Sequence, residues 1–302
     1  MEMCMLDWNT PKLSDKEWIE KCVKEAQYIG SDAAFANIYL LRSKYNIKVT
    51  YYKDLLIRYY EGLGNRKGYT FPLGRKDVLS ALYAIEQDAK EMNRPLEFCF
   101  VTEEQKEILE NTFAGRTESS SDAGDYDYIY GQPELSLLSG RTYHKKKNHV
   151  SKFKRTYEDY MFCEIGNGNL DDVMLIEDEW YYDRLQQDDT SAMKEYEAIR
   201  EAVDNFEELS LSGGIIYANN VPVAMTIASY INDAAVDIHF EKAVGEYAVN
   251  GGFAAINQMY ASTLKDVKFI NREEDINIPG LRKAKESYHP KFMLKKYGVR
   301  VK

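Results

Sequence analysis

An acid, a histidine and a second acid alternate along Asp237-Ile238-His239-Phe240-Glu241-Lys242. Alternate residues of a strand share a face, so the three side chains are expected together on one side of a sheet. A carboxylate or imidazole in that position can act as a general base, taking the proton from an amine or hydroxyl that attacks a carbonyl. Glu241, at the strand's end, is the first choice of base, with His239 beside the substrate; the plain alternative is an exposed strand face with a stray histidine. A second group runs through Asn271, Arg272, Glu273, Glu274 and Asp275, then Arg282, Lys285 and Tyr288. The last three are spaced by three, so a helix can project them from one face. In this reading Glu273 or Asp275 binds a substrate ammonium, Arg282 and Lys285 hold a phosphate or carboxylate, and Tyr288 donates a proton. Compensated charges in a salt-bridged turn are the bland counterpart.

Charge points to the partner. The chain has 302 residues, 39 Lys and Arg against 49 Asp and Glu, and a net charge of −10. An acidic surface repels nucleic acid and anionic membranes, so such a partner needs a local cationic patch. Two stretches supply one. Residues 141–155 hold seven basic side chains and no acid, and residues 281–302 hold eight with one acid, Glu286. At 100° per residue, Tyr143, Lys146, Val150, Phe153 and Tyr157 share one face of a helix, and Lys145, Asn148, Lys152 and Arg155 the other. Lys146, Lys147 and Asn148 are therefore candidate contacts to an anionic, phosphate-bearing substrate, against the reading of a solvated cationic face. Lys146 lies on the apolar side and requires an anion or a snorkelling route.

The elements that must position these groups follow from periodicity. Residues 47–60 and 69–73 read as a hairpin and third strand, 78–89 as a helix, 96–101 as a strand, and 103–115 as a helix opened by a Thr102/Gln105 capping box. A loop over 118–125 and a strand over 126–130 follow. The order then repeats: a hairpin around Asn219-Asn220, a strand over 235–242, a helix over about 247–264, a strand over 267–271, a short helix over 280–287 and a last strand over 297–301. Between the halves lie the basic helix and an acidic helical stretch, 171–209. Helices alternating with strands imply an α/β (α+β) fold with mixed sheets. Tyrosines such as Tyr51, Tyr59, Tyr60, Tyr128 and Tyr130 are expected in the core of strands. Cys4, Cys22, Cys99 and Cys163 form no metal-binding pattern and fit reduced thiols, so no metal is expected. The first ten residues lack the pattern of a signal peptide, and the uncharged run 209–232 is broken by Gly and Asn-Asn, which together predict a cytoplasmic protein without a transmembrane segment.

The stretches LSGRTYHKKKNHVSKFKRTY (138–157) and FINREEDINIPGLRKAKESYHPKF (269–292) resemble the signatures of the phosphatidylglycerol lysyltransferase C-terminal-domain family. The resemblance implies two tandem GNAT-like acyltransferase domains, 1–135 and 136–302, the second carrying the active site. Characterised members move an aminoacyl group from a charged transfer RNA to a lipid headgroup, so the resemblance implies a soluble acyl- or aminoacyl-transferase acting on an amine or hydroxyl. The donor stands open between aminoacyl-tRNA and acyl-CoA. In a CoA-dependent GNAT enzyme a Gly-rich loop cradles the pyrophosphate, which maps a cofactor-binding role to Asn250, Gly251 and Gly252. Here no Gln or Arg stands in register and Glu246 would repel phosphate. Leu294 also replaces the tyrosine that protonates the departing thiolate. An acetyl-CoA-dependent N-acetyltransferase is thus the second reading, and a non-catalytic module for RNA or phospholipid the third.

Overall fold

The computed structural model describes residues 6–185 and 192–302; Cys4 and residues 186–191 of the acidic stretch lie outside them. In chain order the elements are α1 (Lys16–Ala26), α2 (Phe35–Leu40), β1 (Lys48–Tyr52), β2 (Leu55–Glu61), β3 (Lys67–Thr70), α3 (Leu79–Glu91), β4 (Leu96–Val101), α4 (Glu103–Thr112), β5 (Thr117–Ser121) and β6 (Asp127–Gly131). They continue with α5 (Gln132–Leu137), α6 (His144–Thr156), β7 (Met161–Glu164), α7 (Leu170–Leu185), α8 (Ala192–Asp204), β8 (Ser212–Ala218), β9 (Val221–Asn232) and β10 (Ala235–Ala243). Last come α9 (Gly245–Val249), α10 (Gly252–Thr263), β11 (Phe269–Asn271), α11 (Pro279–Glu286), β12 (Phe292–Leu294) and β13 (Tyr297–Val301). Among the described residues no helix is long and apolar enough to cross a membrane.

These elements form two compact units. The first holds residues 1–128, 273–282 and 293–302, and the second holds 129–272 and 283–292. The units therefore differ from the contiguous halves expected at 135/136, and the last strand explains why. Expected in the second half's sheet, β13 instead runs antiparallel to β4 on one side and to β5 on the other. The six-stranded sheet is ordered β1-β2-β3-β4-β13-β5. The seven-stranded sheet is ordered β12-β6-β11-β10-β9-β8-β7, with Ile129–Gly131 of β6 antiparallel to β11. The closing strand of each half of the sequence thus completes the other sheet. The polar run 118–125, expected as a loop, supplies β5, because pairing with Val299 and Arg300 satisfies its backbone despite exposed serines.

Each unit has its own core. Leu55, Ile57, Tyr69, Leu82, Ile85, Phe98 and Val299 pack together in the first, and Phe153, Tyr157, Ile216, Val223 and Ile256 in the second. The predicted capping box is present: Gln105 N donates to Thr102 Oγ1 (3.4 Å) and Thr102 N to Gln105 Oε1 (3.0 Å). Tyr59, Tyr60, Tyr128 and Tyr130 are buried as expected, whereas Tyr51 is half exposed.

The first unit also buries four charges that periodicity gives no hint of. Arg58 Nη2 lies 3.0 Å from Asp32 Oδ2, and Lys296 Nζ lies 2.6 Å from Asp127 Oδ1 and 3.1 Å from Asp32 Oδ1. Ser31 adds its backbone N–H (2.8 Å) and hydroxyl (3.0 Å) to Asp127, and Tyr28 its hydroxyl to Asp32 (2.9 Å). Burial works against the Lys296 ammonium, but Asp127 and Asp32 outweigh it and hold its pKa well above the ordinary lysine value. Breaking such a group leaves an uncompensated buried charge, at a cost of roughly 3–5 kcal/mol. Lys296→Met is expected to lower stability by about that amount in urea unfolding, and adding Asp127→Asn to recover part of it; a neutral Lys296→Met would contradict this account.

Candidate functional site

β10 and β11 run parallel, with Asp237 beside Asn271, and α10 is the crossover between them. This arrangement carries Glu241 at the end of β10 and Arg272 just after β11 to the same place. Arg272 Nη2 donates to Glu241 Oε1 at 2.7 Å, and Asn257 Nδ2 of α10 donates to Glu241 Oε2 at 3.0 Å. The guanidinium of Arg272 lies 4.7 Å from the centroid of the buried Tyr288 ring. The same ring takes the Lys146 ammonium of α6 at 3.6 Å and meets Tyr130 edge-on at 6.4 Å. Lys285 Nζ donates to the Arg272 carbonyl, and Tyr130 Oη to the Lys285 carbonyl at 2.7 Å. All of these residues belong to the second unit.

Its electrostatics are unbalanced. Two cations, Arg272 and Lys146, share one ring and face a single carboxylate, Glu241. Burial, and then Arg272, push the Lys146 ammonium down to a pKa of about 8, with Glu241 opposing. Burial likewise raises the Tyr288 phenol, so it keeps its proton at neutral pH. Two buried polar atoms have no hydrogen-bond partner: Arg272 Nη1, a donor, and Asn257 Oδ1, an acceptor. Unmade hydrogen bonds of this kind are costly, and both belong to residues that bond the Glu241 carboxylate.

The expected site residues divide into several sets. Glu241, Tyr288, Lys285 and Lys146 converge on Arg272, which the expectations grouped with Asn271 but gave no role. Asp237 and His239 do not join Glu241. His239 Nε2 is 2.8 Å from Ser229 Oγ and its Nδ1 is 3.4 Å from Asp237. The reason is a bulge: β10 pairs Ile238 with Ala228 and Phe240 with Ile227, a register shift at His239 that breaks the two-residue alternation. Asn271 is buried on β11 beside Asp237.

Glu273, Asp275 and Arg282 are bonded within the first unit. Glu273 accepts from Asn37 Nδ2 at 3.0 Å. Asp275 takes both Nε (2.8 Å) and Nη2 (2.9 Å) of Arg282 and the Tyr128 hydroxyl (2.7 Å). Burial would raise the Asp275 pKa, but these donors outweigh it and hold it below the carboxylate norm. Arg282 and Lys285 therefore do not act from a common face: one is spent on Asp275, the other on the Arg272 carbonyl.

Lys147 and Asn148 are exposed on α6, where Asn148 Nδ2 lies 3.4 Å from His144 Nδ1. Asn250 donates to Tyr157 Oη at 2.8 Å, and with Gly251 it breaks the helix expected over 247–264. Gly251 has φ +104°, and a Cβ there would stand 2.4 Å from the His149 carbonyl oxygen. Close packing on α6 therefore requires glycine with or without a cofactor. Arg272 and Asn257 were the overlooked members of the site. Asn257 shows as a polar residue on the otherwise apolar face of α10, which is the signal that could have found it.

Comparison with known proteins agrees with this architecture. No curated protein matches the chain. A conserved protein of unknown function from Bacteroides thetaiotaomicron VPI-5482 is 30% identical, with a TM-score of 0.92 over 99% of this chain and 100% of that one. L-PGS from Bacillus licheniformis is 14% identical, with a TM-score of 0.67 over 100% of this chain and 94% of that one. FemX, at 8% identity, gives 0.58 over 98% of both chains. The latter two show the fold alone, which is that of two tandem GNAT-like domains. The family model described as phosphatidylglycerol lysyltransferase, C-terminal, matches residues 24–300, and over that span the chain belongs to this family.

Proposed function

We propose that the chain is an acyl- or aminoacyl-transferase that receives a phosphate-bearing substrate at the Arg272–Lys146 pair of its second unit. The observation that carries this reading is the unpartnered Nη1 of Arg272, beside a second cation on the same ring. An anionic group there would supply the missing acceptor and offset the repulsion between the cations. Asn257 Oδ1 would accept from the substrate's hydroxyl or amine. The family's name points to lysyl as the transferred group and phosphatidylglycerol as the acceptor.

In this mechanism the acceptor oxygen or nitrogen attacks the donor's ester carbonyl and loses its proton to Glu241. The carbon–oxygen bond to the leaving group then breaks, Tyr288 protonates the departing oxygen, and the proton on Glu241 returns to Tyr288. The ester of an aminoacyl-tRNA is favoured over acyl-CoA as donor. The α6 backbone crowds Gly251, where a pyrophosphate would lie, and Glu246 stands in the same loop. The exposed cations of α6, Lys145, Lys147, Lys152 and Arg155, suit the tRNA backbone.

Glu241→Gln is expected to reduce product formation from lysyl-tRNA and phosphatidylglycerol by about a hundredfold or more while leaving donor affinity unchanged. Equal loss of both would remove Glu241 from the role of base. A lysine with its pKa near 8 is charged below that pH and neutral above it. Affinity for glycerophosphoglycerol, a diester of constant charge, should therefore fall as pH rises through about 8, by calorimetry. Lys146→Gln should bind more weakly and lack that step.

A further inference from the structure

Ser229, His239 and Asp237 have no part in the chemistry proposed for Glu241, yet they stand in an order that carries chemistry of its own. Ser229 of β9 lies directly opposite Asp237 of β10 in the antiparallel register. An unbroken ladder would set residue 239 opposite Ile227, two residues further along; the register shift between Ile238 and Phe240 instead leaves the imidazole at Ser229. Ser229 Oγ and His239 Nε2 are 2.8 Å apart, and His239 Nδ1 is 3.4 Å from Asp237 Oδ2. All three residues belong to the second unit, and they are 4%, 8% and 0% exposed in the order serine, histidine, aspartate.

The two contacts use different ring nitrogens, and that decides what the serine can do. A buried carboxylate at Nδ1 keeps the proton on that nitrogen and turns the lone pair of Nε2 to the hydroxyl. The imidazole can then take the hydroxyl proton while the oxygen attacks a carbonyl, and the aspartate offsets the imidazolium that forms. A hydroxyl buried on a strand needs none of this for its own sake. Thr226, on the same strand, satisfies its hydroxyl on the Phe240 carbonyl at 3.2 Å, with no carboxylate or imidazole to desolvate.

We infer that Ser229 is a nucleophile that accepts a small acyl group from an ester, with His239 as its base and Asp237 as the residue that positions the imidazole. The serine oxygen bonds to the ester carbonyl carbon, and its proton passes to His239 Nε2. The carbon–oxygen bond to the leaving group breaks, and the departing oxygen carries that proton away. Water then attacks the acyl-serine, giving a proton to the same imidazole; the carboxylic acid leaves, and the proton returns to the Ser229 oxygen. The low exposure of the hydroxyl and the ring sets the substrate class, an acyl group of acetyl size rather than a long chain. Glu241, bonded to Arg272 and Asn257, has no part in these steps, which stand without the transferase reading.

The test is the reaction of the full chain with p-nitrophenyl acetate. The wild type is expected to release nitrophenolate in a burst of about one equivalent and to gain the mass of one acetyl group, located on Ser229 by peptide mapping. Ser229→Ala should lose both with an unchanged thermal melt. His239→Gln can still hydrogen-bond the serine but cannot take its proton, so it too should keep the melt and lose the burst. Asp237→Asn should slow acylation by about a hundredfold or more; the first two variants decide the matter should this one fail to fold. The octanoate ester should acylate Ser229 about tenfold more slowly than the acetate or worse, and equal rates would overturn the small acyl group. No adduct on the wild type, an adduct on other residues only, or a burst that survives in Ser229→Ala or His239→Gln would overturn the nucleophile, leaving the three residues a buried polar network.

Discussion

The buried contact of Lys296 with Asp127 and Asp32 fixes the path of the chain through both sheets. Lys296 immediately precedes β13, the strand set between β4 and β5, and Asp127 opens β6, whose later residues pair with β11. The two carboxylates and two cations thus sit at the root of both exchanged strands. Desolvating four charges is expensive, and the mutual attraction with the added bonds from Ser31 and Tyr28 offsets that cost without making the cluster a large net source of stability. Its value lies in register. A strand entering between two others can slip by a residue and turn every side chain to the wrong face, and a paired charge at its first turn opposes that slip.

The site in the second unit depends on a different economy of contacts. A parallel pair, β10 and β11, requires a crossover, and α10 supplies both that connection and Asn257. The closeness of α10 to α6, possible only because Gly251 lacks a side chain, sets α6 where Lys146 can reach Tyr288. The same packing that accounts for the glycines also assembles the cations. Arg272 stands at the centre, spending one nitrogen on Glu241 and leaving another unmet in the interior.

Much of this was readable from residue order. Apolar periodicity located most strands and helices, Thr102 and Gln105 marked the start of α4, and the amphipathic split of residues 143–157 placed Lys146 against the core. The misreadings have physical causes. The serine-rich β5 carries no apolar alternation and is a strand only because β13 pairs with it. The exchange of β6 and β13 involves contacts far apart in the chain, which local pattern does not encode. The alternation that grouped Glu241 with His239 fails at a one-residue bulge. Asp32, Arg58, Asp127 and Lys296 lie in four unrelated segments, and only the folded chain brings them together.

Because each sheet is closed by a strand from the opposite half, neither half of the gene encodes a finished fold. A fragment ending near residue 135 would present β4 and β5 to solvent with the slot between them vacant, an invitation to aggregate. Descent from a duplicated ancestor would have made the arrangement hard to reverse, since losing either copy strands the other.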